Sequence, residues 1–428
     1  MVELNDYERY TFAIGRWLGN GGEEMSCELH GEFACKSRAC APPPVGTGGS
    51  LPSGASDDSP TALTARGKSP LGGAVSRDEV AAFRERIRDE GVDSPLWRAV
   101  TGRLGKTPDT LDPNGYEQRV RAKVEVNRRI AEHLVKDPQF QKGLKDLLDM
   151  RMGDDLLSPY ATSPKDMLVD LIRGAINKAL RQQARPASYL VEDGATVREL
   201  ITSLSEGNFD PVWYEDLGDN ELKGKSAEEI VTQLLVRQFV DGWAATSNDS
   251  DPRSISKQMA AGEMYGIDYE EFYKNYRHKG SKVDTSILDD ARRQLEQNRD
   301  LLHALTRAEY NATQEMLREA GIKTVTVYRG VQLDPSKQTI PPTGSVVESW
   351  ANPLSSWTTD LGTASGQFGR SVGVAKGVTF AMEVPVEMIQ ATTATGRGCL
   401  HEYEVILIGH PSEMLTLIGD WFVPDAES

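Results

Sequence analysis

The sequence predicts an α+β protein with its helices first and its strands last. Apolar residues recur at helical spacing, behind helix-capping patterns, from residue 76 to about 320. Beyond Gly321 the period falls to two over several short runs, the spacing of half-buried strands. These runs follow one another with little helical pattern between them, unlike the strand–helix alternation of a parallel α/β sheet.

The 428 residues allow two or three domains at roughly 100–200 residues each. Composition divides them into a short Cys-containing module (1–40), a linker (41–75), a helical domain (76–190) and a C-terminal unit (195–428). In the first, Cys27, His30, Cys35 and Cys40 read C-x2-H-x4-C-x4-C, without the close C-x2–4-C pairs of most structural zinc sites. Unliganded thiols are the simpler reading and a small zinc knuckle the alternative; disulfides are disfavoured by the absence of an export signal. Residues 41–75 are rich in Pro, Gly and Ser and bury too little apolar surface to offset chain entropy.

Ser76-Arg77-Asp78-Glu79 is a capping box ahead of Val80, Phe83 and Ile87. Val120, Val124, Ile130 and Leu134, then Leu144, Leu147 and Leu148, mark two amphipathic helices broken at Asp137-Pro138, and another helix is expected over 164–183. Ser226-Ala227-Glu228-Glu229 opens a helix carrying Ile230, Leu234, Leu235, Phe239 and Trp243. A long helix is expected from Asp284 to about Ala320, with Gly321 as its stop signal. Strands follow at 324–328, 378–384, 403–408, 414–418 and 421–423, with a hydroxyl-rich strand and turn over 353–360.

Charge and composition exclude several functions. With 48 basic against 64 acidic residues the net charge is −16, which argues against affinity for nucleic-acid phosphates. Six histidines argue against a histidine-built metal enzyme. No run reaches the roughly 18 apolar residues of a membrane span. The N-terminus lacks a basic stretch followed by an apolar one, so no signal peptide is expected and the cytoplasm of a target or host cell is the expected site of action. The signatures of P-loop nucleotide sites, zincins, α/β-hydrolases and dinucleotide-binding βαβ units do not occur.

Three features near the C-terminus carry candidate chemistry. Val327-Tyr328-Arg329-Gly330-Val331 puts a guanidinium, a rigid fork suited to phosphate, on a strand, beside a glycine that lets a ligand approach the backbone. Pro353-Leu354-Ser355-Ser356-Trp357-Thr358-Thr359-Asp360 clusters hydroxyls that either orient a carboxylate or cap a helix starting near Leu361. Glu402-Tyr403-Glu404 leads into the apolar run 405–408, so strand alternation would place both carboxylates on one face, where like charges repel and fold stability has no use for them. Residues 391–398 read as a mobile loop able to present a partner to those carboxylates.

Arg, then Ser-x-Thr, then Glu-x-Glu, on three successive β segments, resembles the arginine–serine–glutamate class of mono-ADP-ribosyltransferases, which includes clostridial binary-toxin and VIP2-like enzymes and phage proteins. The resemblance covers roughly 195–428 and is strongest from Tyr328 to Ile408. Gly242-Trp243-Ala244-Ala245-Thr246-Ser247 and Gln258-Met259-Ala260-Ala261-Gly262-Glu263 are similar to the helical lead-in of bacterial and phage members. The resemblance implies a C-terminal domain with a split mixed or antiparallel β core. It implies transfer of ADP-ribose from NAD, the co-substrate, to arginine side chains of a target protein, with no metal.

It further implies that Arg329 contacts the NAD phosphates and braces the site, and that Gly330 offers backbone hydrogen bonds to the nicotinamide amide. Ser356-Trp357-Thr358 takes the Ser-Thr-Ser position, with Ser356 orienting Glu404; Trp357 and Thr358 depart from the commonest letters. Phe368 stacks on nicotinamide and Arg370 reaches a phosphate. Glu404 is the catalytic glutamate, and Glu402 is the acidic residue that goes with arginine acceptors. The competing readings are an inactive protein retaining the fold, docked through residues 76–190 onto a larger particle such as a virion, and an NAD glycohydrolase. A glycoside hydrolase built on Glu402 and Glu404 would leave the arginine and hydroxyl motifs as coincidences.

Overall fold

The structure, a computed structural model, describes residues 67–90, 95–96, 98–99, 126–149, 196–205, 225–246, 252–272, 286–333, 340–349, 352–368, 376–398, 402–409 and 413–420. Cys27, His30, Cys35, Cys40, the linker to residue 66, the helix expected over 164–183 and the strand expected at 421–423 lie outside them.

Local chemistry starts the helices. Helix α1 (Arg77–Glu90) opens on the expected capping box: the Glu79 N–H donates to Ser76 Oγ at 3.3 Å, and the Glu79 carboxylate accepts from the Ser76 N–H and hydroxyl, both at 2.8 Å. The helical stretch 126–134 stops short of Asp137, whose Oδ1 accepts from the N–H groups of Gln139 (3.0 Å) and Phe140 (3.1 Å). Asp137 thus caps α2 (Pro138–Leu148), and Pro138 has no N–H to leave unpaired. Capping boxes also open α3 (Val197–Ser205), through Thr196 and Glu199, and α4 (Ala227–Thr246), through Ser226 and Glu229.

Helices α5 (Pro252–Tyr265), α6 (Tyr269–Phe272) and α7 (Ser286–Glu319) follow, and Gly321 ends the series at φ 69°, a conformation glycine adopts without strain. The buried seam of α7 steps by three and four residues through Leu288, Ala291, Leu295, Asn298, Leu302, Leu305, Glu309, Ala312 and Met316. Residues 254–262 of α5 are all buried. This helix packs along α7 and also reaches the sheet, with Ala261 against Leu354, Ala391 and Ile406.

The boundary expected near residue 190 does not separate two cores. Val126, Ile130, Leu134, Phe140 and Leu144 share one apolar cluster with Ile201, Ile230, Phe239, Ile255 and the α7 seam, because the apolar stripe of each short helix finds its cover on the others. Helix α1 packs instead on the sheet, with Val80 and Phe83 against Tyr328, Ala364 and Ala381.

Seven strands form a sheet in the order β2-β7-β4-β1-β3-β6-β5: β1 (Thr324–Leu333), β2 (Val346–Ser349), β3 (Leu354–Thr358), β4 (Lys376–Pro385), β5 (Ile389–Thr392), β6 (Glu404–Ile408) and β7 (Glu413–Asp420). Every pairing is antiparallel. Strand β1 pairs with β4 along its whole length but meets β3 only at Tyr328↔Thr358. The sheet is therefore split into β2-β7-β4-β1 and β3-β6-β5, hinged at one residue pair. Its face bearing Val327, Val331, Trp357, Phe380, Val405 and Leu407 packs with Met316 and Leu317 of α7.

Candidate functional site

The split in the sheet is where the sequence motifs meet. Pairs Tyr328↔Thr358 and Thr358↔Glu404 put these three residues on one rung, so at about 4.8 Å per strand the Tyr328 and Glu404 Cα atoms stand roughly 10 Å apart. Beyond that rung an unbroken register would pair Gly330 with Ser356 and Val331 with Ser355, yet neither pair forms. The strands splay there, leaving Gly330 and Val331 of β1 unpaired with β3.

A side chain bridges the gap instead. Arg329 Nη1 donates to Ser355 Oγ at 2.6 Å, and Trp357 Nε1 donates to the same oxygen at 3.1 Å. The guanidinium carbon lies 5.7 Å from the Trp357 ring centre. Ser355 is almost wholly buried. The hydroxyl on Arg329 is thus that of Ser355, the residue before Ser356, whose expected partner is Glu404 and not Arg329. Pleating sends Ser355 and Trp357 to one face and Ser356 and Thr358 to the other. Ser356 pairs with Ile406, so it is Thr358 that stands directly across from Glu404.

Thr358 Oγ1 accepts the Asp360 N–H at 3.0 Å, and Asp360 Oδ2 accepts the Thr363 N–H at 2.5 Å, starting the helical turn whose π-helical part spans Thr363–Phe368. The helix near Leu361 is therefore capped by the Asp360 carboxylate and not by a hydroxyl, with Thr358 only holding Asp360 in place. Phe368 is the last residue of that turn, and Arg370 lies outside the described residues.

The two glutamates are both buried, but not by strand alternation. Strand β6 begins at Glu404; Glu402 precedes it in a turn, and Tyr403 has φ 50°, a left-handed conformation costing a non-glycine residue about 1–2 kcal/mol. The Thr359 N–H holds this turn by donating to the Tyr403 carbonyl at 3.2 Å. Burial, and then the Asp360 charge, push the Tyr403 phenol above its ordinary pKa.

A clamp from α5 sets where β3 starts. Gln258 Nε2 donates to the Leu354 carbonyl and Gln258 Oε1 accepts the Leu354 N–H, both at 2.8 Å, so the side-chain amide acts as one residue of a neighbouring strand. Within the lead-in resemblance, Gln258 thus has a specific structural task.

Residues 391–398, expected to be a mobile loop, are all buried. They comprise the end of β5 and the first part of the β5–β6 connection, and side chains of α7 fasten them: Thr313 Oγ1 donates to Thr395 Oγ1 at 2.8 Å, and Glu309 takes several bonds from Arg397. Glu309 was legible as a carboxylate on the apolar seam of a long helix; Arg397 carried no comparable signal within a run of threonines and glycines.

Among the described residues no group of three or more His, Cys, Asp or Glu side chains could hold a metal ion, and no helix is long and apolar enough to cross a membrane. No protein-family model matches the chain, no curated protein is significantly similar to it, and no solved structure is significantly similar to its fold.

Proposed function

We propose that the chain is a mono-ADP-ribosyltransferase that moves ADP-ribose from NAD to arginine side chains of a target protein and releases nicotinamide. The observation that carries this reading is the split between β1 and β3. It leaves Gly330 of β1 unpaired with β3, one strand away from the buried Glu404, while the Arg329 guanidinium, bonded to the buried Ser355, lies on the opposite face of β3 from Glu404.

This donor set suits the dinucleotide. A guanidinium carries five N–H donors in a planar fork, a geometry that matches the oxygens of a phosphate. The backbone at Gly330 suits the nicotinamide amide, as an added strand residue would be held. NAD supplies the ADP-ribosyl group and a leaving group that departs neutral, so the protein need provide no strong acid. Glu404 stabilises the positive charge that builds on the ribose as the glycosyl bond lengthens, the role a carboxylate plays in glycoside cleavage. Glu402 attracts the acceptor guanidinium, aligns it and takes the proton released when the new C–N bond forms. Phe368 and Arg370 keep their proposed roles at the nicotinamide and a phosphate.

Incubation with labelled NAD and a bacterial lysate, followed by mass spectrometry of modified side chains, tests the reading. ADP-ribose on arginine is expected. Free ADP-ribose without labelled protein would indicate a glycohydrolase, and intact NAD an inert fold. Glu404→Gln is expected to abolish transfer in a folded protein, whereas Glu402→Gln is expected to lose transfer more than hydrolysis. Undiminished transfer by the first variant, or equal loss of both activities in the second, would remove the assigned roles.

A further inference from the structure

Arg397 and Glu309 form an ion pair with no exposed side-chain surface on either partner. Arg397 Nε donates to both Glu309 oxygens, at 3.1 and 2.9 Å, and Nη2 donates to Oε2 at 2.6 Å. The Arg397 backbone N–H donates to Oε1 at 2.6 Å. The guanidinium also lies over the Phe239 ring of α4, 4.4 Å from its centre. Gln390 on β5 completes the cluster: its Nε2 donates to Glu309 Oε2 and to the Thr306 carbonyl, each at 2.9 Å, and its Oε1 accepts the Tyr265 hydroxyl at 2.5 Å. Gly396 allows this approach, since a Cβ there would come within 2.3 Å of Glu309 Oε1.

Fold stability alone gives little reason for such a cluster, because a well-packed apolar pair of similar volume usually stabilises at least as much. Its location supplies a reason. The β5–β6 connection leaves Thr392, is fastened to α7 at Thr395 and Arg397, and reaches Glu402 after four more residues. Resting on the reading that Glu402 and Glu404 act on NAD and its acceptor, we propose that Glu309 and Arg397 are positioning residues. The buried pair holds the β5–β6 connection against α7 and thereby sets where the two carboxylates stand relative to ribose and acceptor. Neither residue touches the reacting atoms.

Glu309→Asp tests this in the full chain. It keeps both charges but withdraws the carboxylate by about one C–C bond, ~1.5 Å, and a displacement of that size in a catalytic site can cost about a hundredfold in rate. The readouts are kcat and KM for NAD, and the ratio of ADP-ribose transferred to the small guanidino acceptor agmatine over ADP-ribose hydrolysed. That ratio does not depend on how much of the protein is folded. The expected result is a kcat at least about tenfold lower with KM for NAD within about twofold, the pattern of an interaction made only in the transition state. The transfer-to-hydrolysis ratio should also fall several-fold, because a displaced Glu402 no longer aligns the guanidinium. Wild-type kcat and ratio overturn the proposal, as does a loss of activity that only tracks the folded fraction seen by circular dichroism. Should E309D not fold, Thr313→Val, which removes the tie to Thr395 together with the hydroxyl's bond to the Glu309 carbonyl in its own helix, is read in the same way: a smaller fall in the ratio supports the proposal and an unchanged ratio overturns it. A wild-type chain that cleaves no NAD overturns the functional reading and this proposal together; an active wild type with an unaffected variant overturns this proposal alone.

Discussion

Ser355 accepts from the Arg329 guanidinium and the Trp357 indole, so its own hydroxyl proton is directed toward a third group. Ser356, on the opposite pleat, stands beside Thr358 and Glu404. The two serines can therefore be separated by experiment. Ser355→Ala leaves one guanidinium N–H and the buried indole N–H without their acceptor, and an unsatisfied buried group costs about 1–3 kcal/mol. NAD cleavage is expected to fall markedly in Ser355→Ala and less in Ser356→Ala, with initial rates on labelled NAD as the measurement. The reverse order would return Ser356 to the position that its place in the motif suggested. Tyr403 makes the same point about single residues: one left-handed conformation ends the strand period and moves Glu402 into a turn.

At the scale of elements, the site rests on contacts between a helix and a strand far apart in sequence. The Gln258 amide satisfies both backbone groups of Leu354, at a strand end where no neighbouring residue of β1 pairs. Gln258→Leu keeps the apolar stem and removes both partners. It is expected to destabilise by about 1–3 kcal/mol for each backbone group left unsatisfied, read as a lower urea midpoint with an unchanged m-value. A midpoint equal to wild type would mean that α5 does not set the start of β3. Helix α7 acts similarly on the opposite edge: Gln314 Nε2 donates to the carbonyls of Val386 (2.8 Å) and Ile389 (3.0 Å), and the Tyr310 hydroxyl to that of Glu387 (3.1 Å). Together with Glu309 and Thr313, these side chains fasten one helix to the run of chain that ends at Glu402.

Across the whole molecule, α7 joins the helical core to the sheet, and one titratable group at its interface with α5 makes that union pH-dependent. His303 Nε2 lies 3.1 Å from Glu263 Oε2, off the line of a good hydrogen bond. Burial, assisted by the charges of Arg307 and Arg299, outweighs the pull of Glu263 and holds the imidazole pKa below its ordinary 6.5. The unfolded chain then binds the proton more readily than the folded one. The stability contributed by neutral His303 is present above about pH 6.5 and is lost as pH falls from there through the folded pKa. Thermal unfolding is expected at a lower Tm below that range than above it, and His303→Gln should reduce the difference. An unchanged pH dependence in the variant would assign the acid sensitivity to the carboxylates.

The sequence by itself determined what neighbours along the chain can decide. Capping boxes at Ser76 and Ser226, Asp137 ahead of Pro138 and the left-handed Gly321 act over three or four residues, and the structure has helices beginning or ending at each. The change of period after Gly321 likewise marked the passage from helix to strand, because burial on a helix stripe and on a sheet face leave different repeats. The tertiary structure alone decided the rest. Which serine meets Arg329 depends on the register of β3 against β1 and β6, and a shift of one residue moves every side chain to the other face. The end of strand β5 and the buried turn after it, read in the sequence as a mobile loop, owe their order to the Glu309 carboxylate of α7, more than eighty positions earlier, which pairs with Arg397 and accepts from the Gln390 amide. No local pattern announces a partner at that distance, since the free energy that orders the segment appears only when both surfaces are brought together and water is excluded between them.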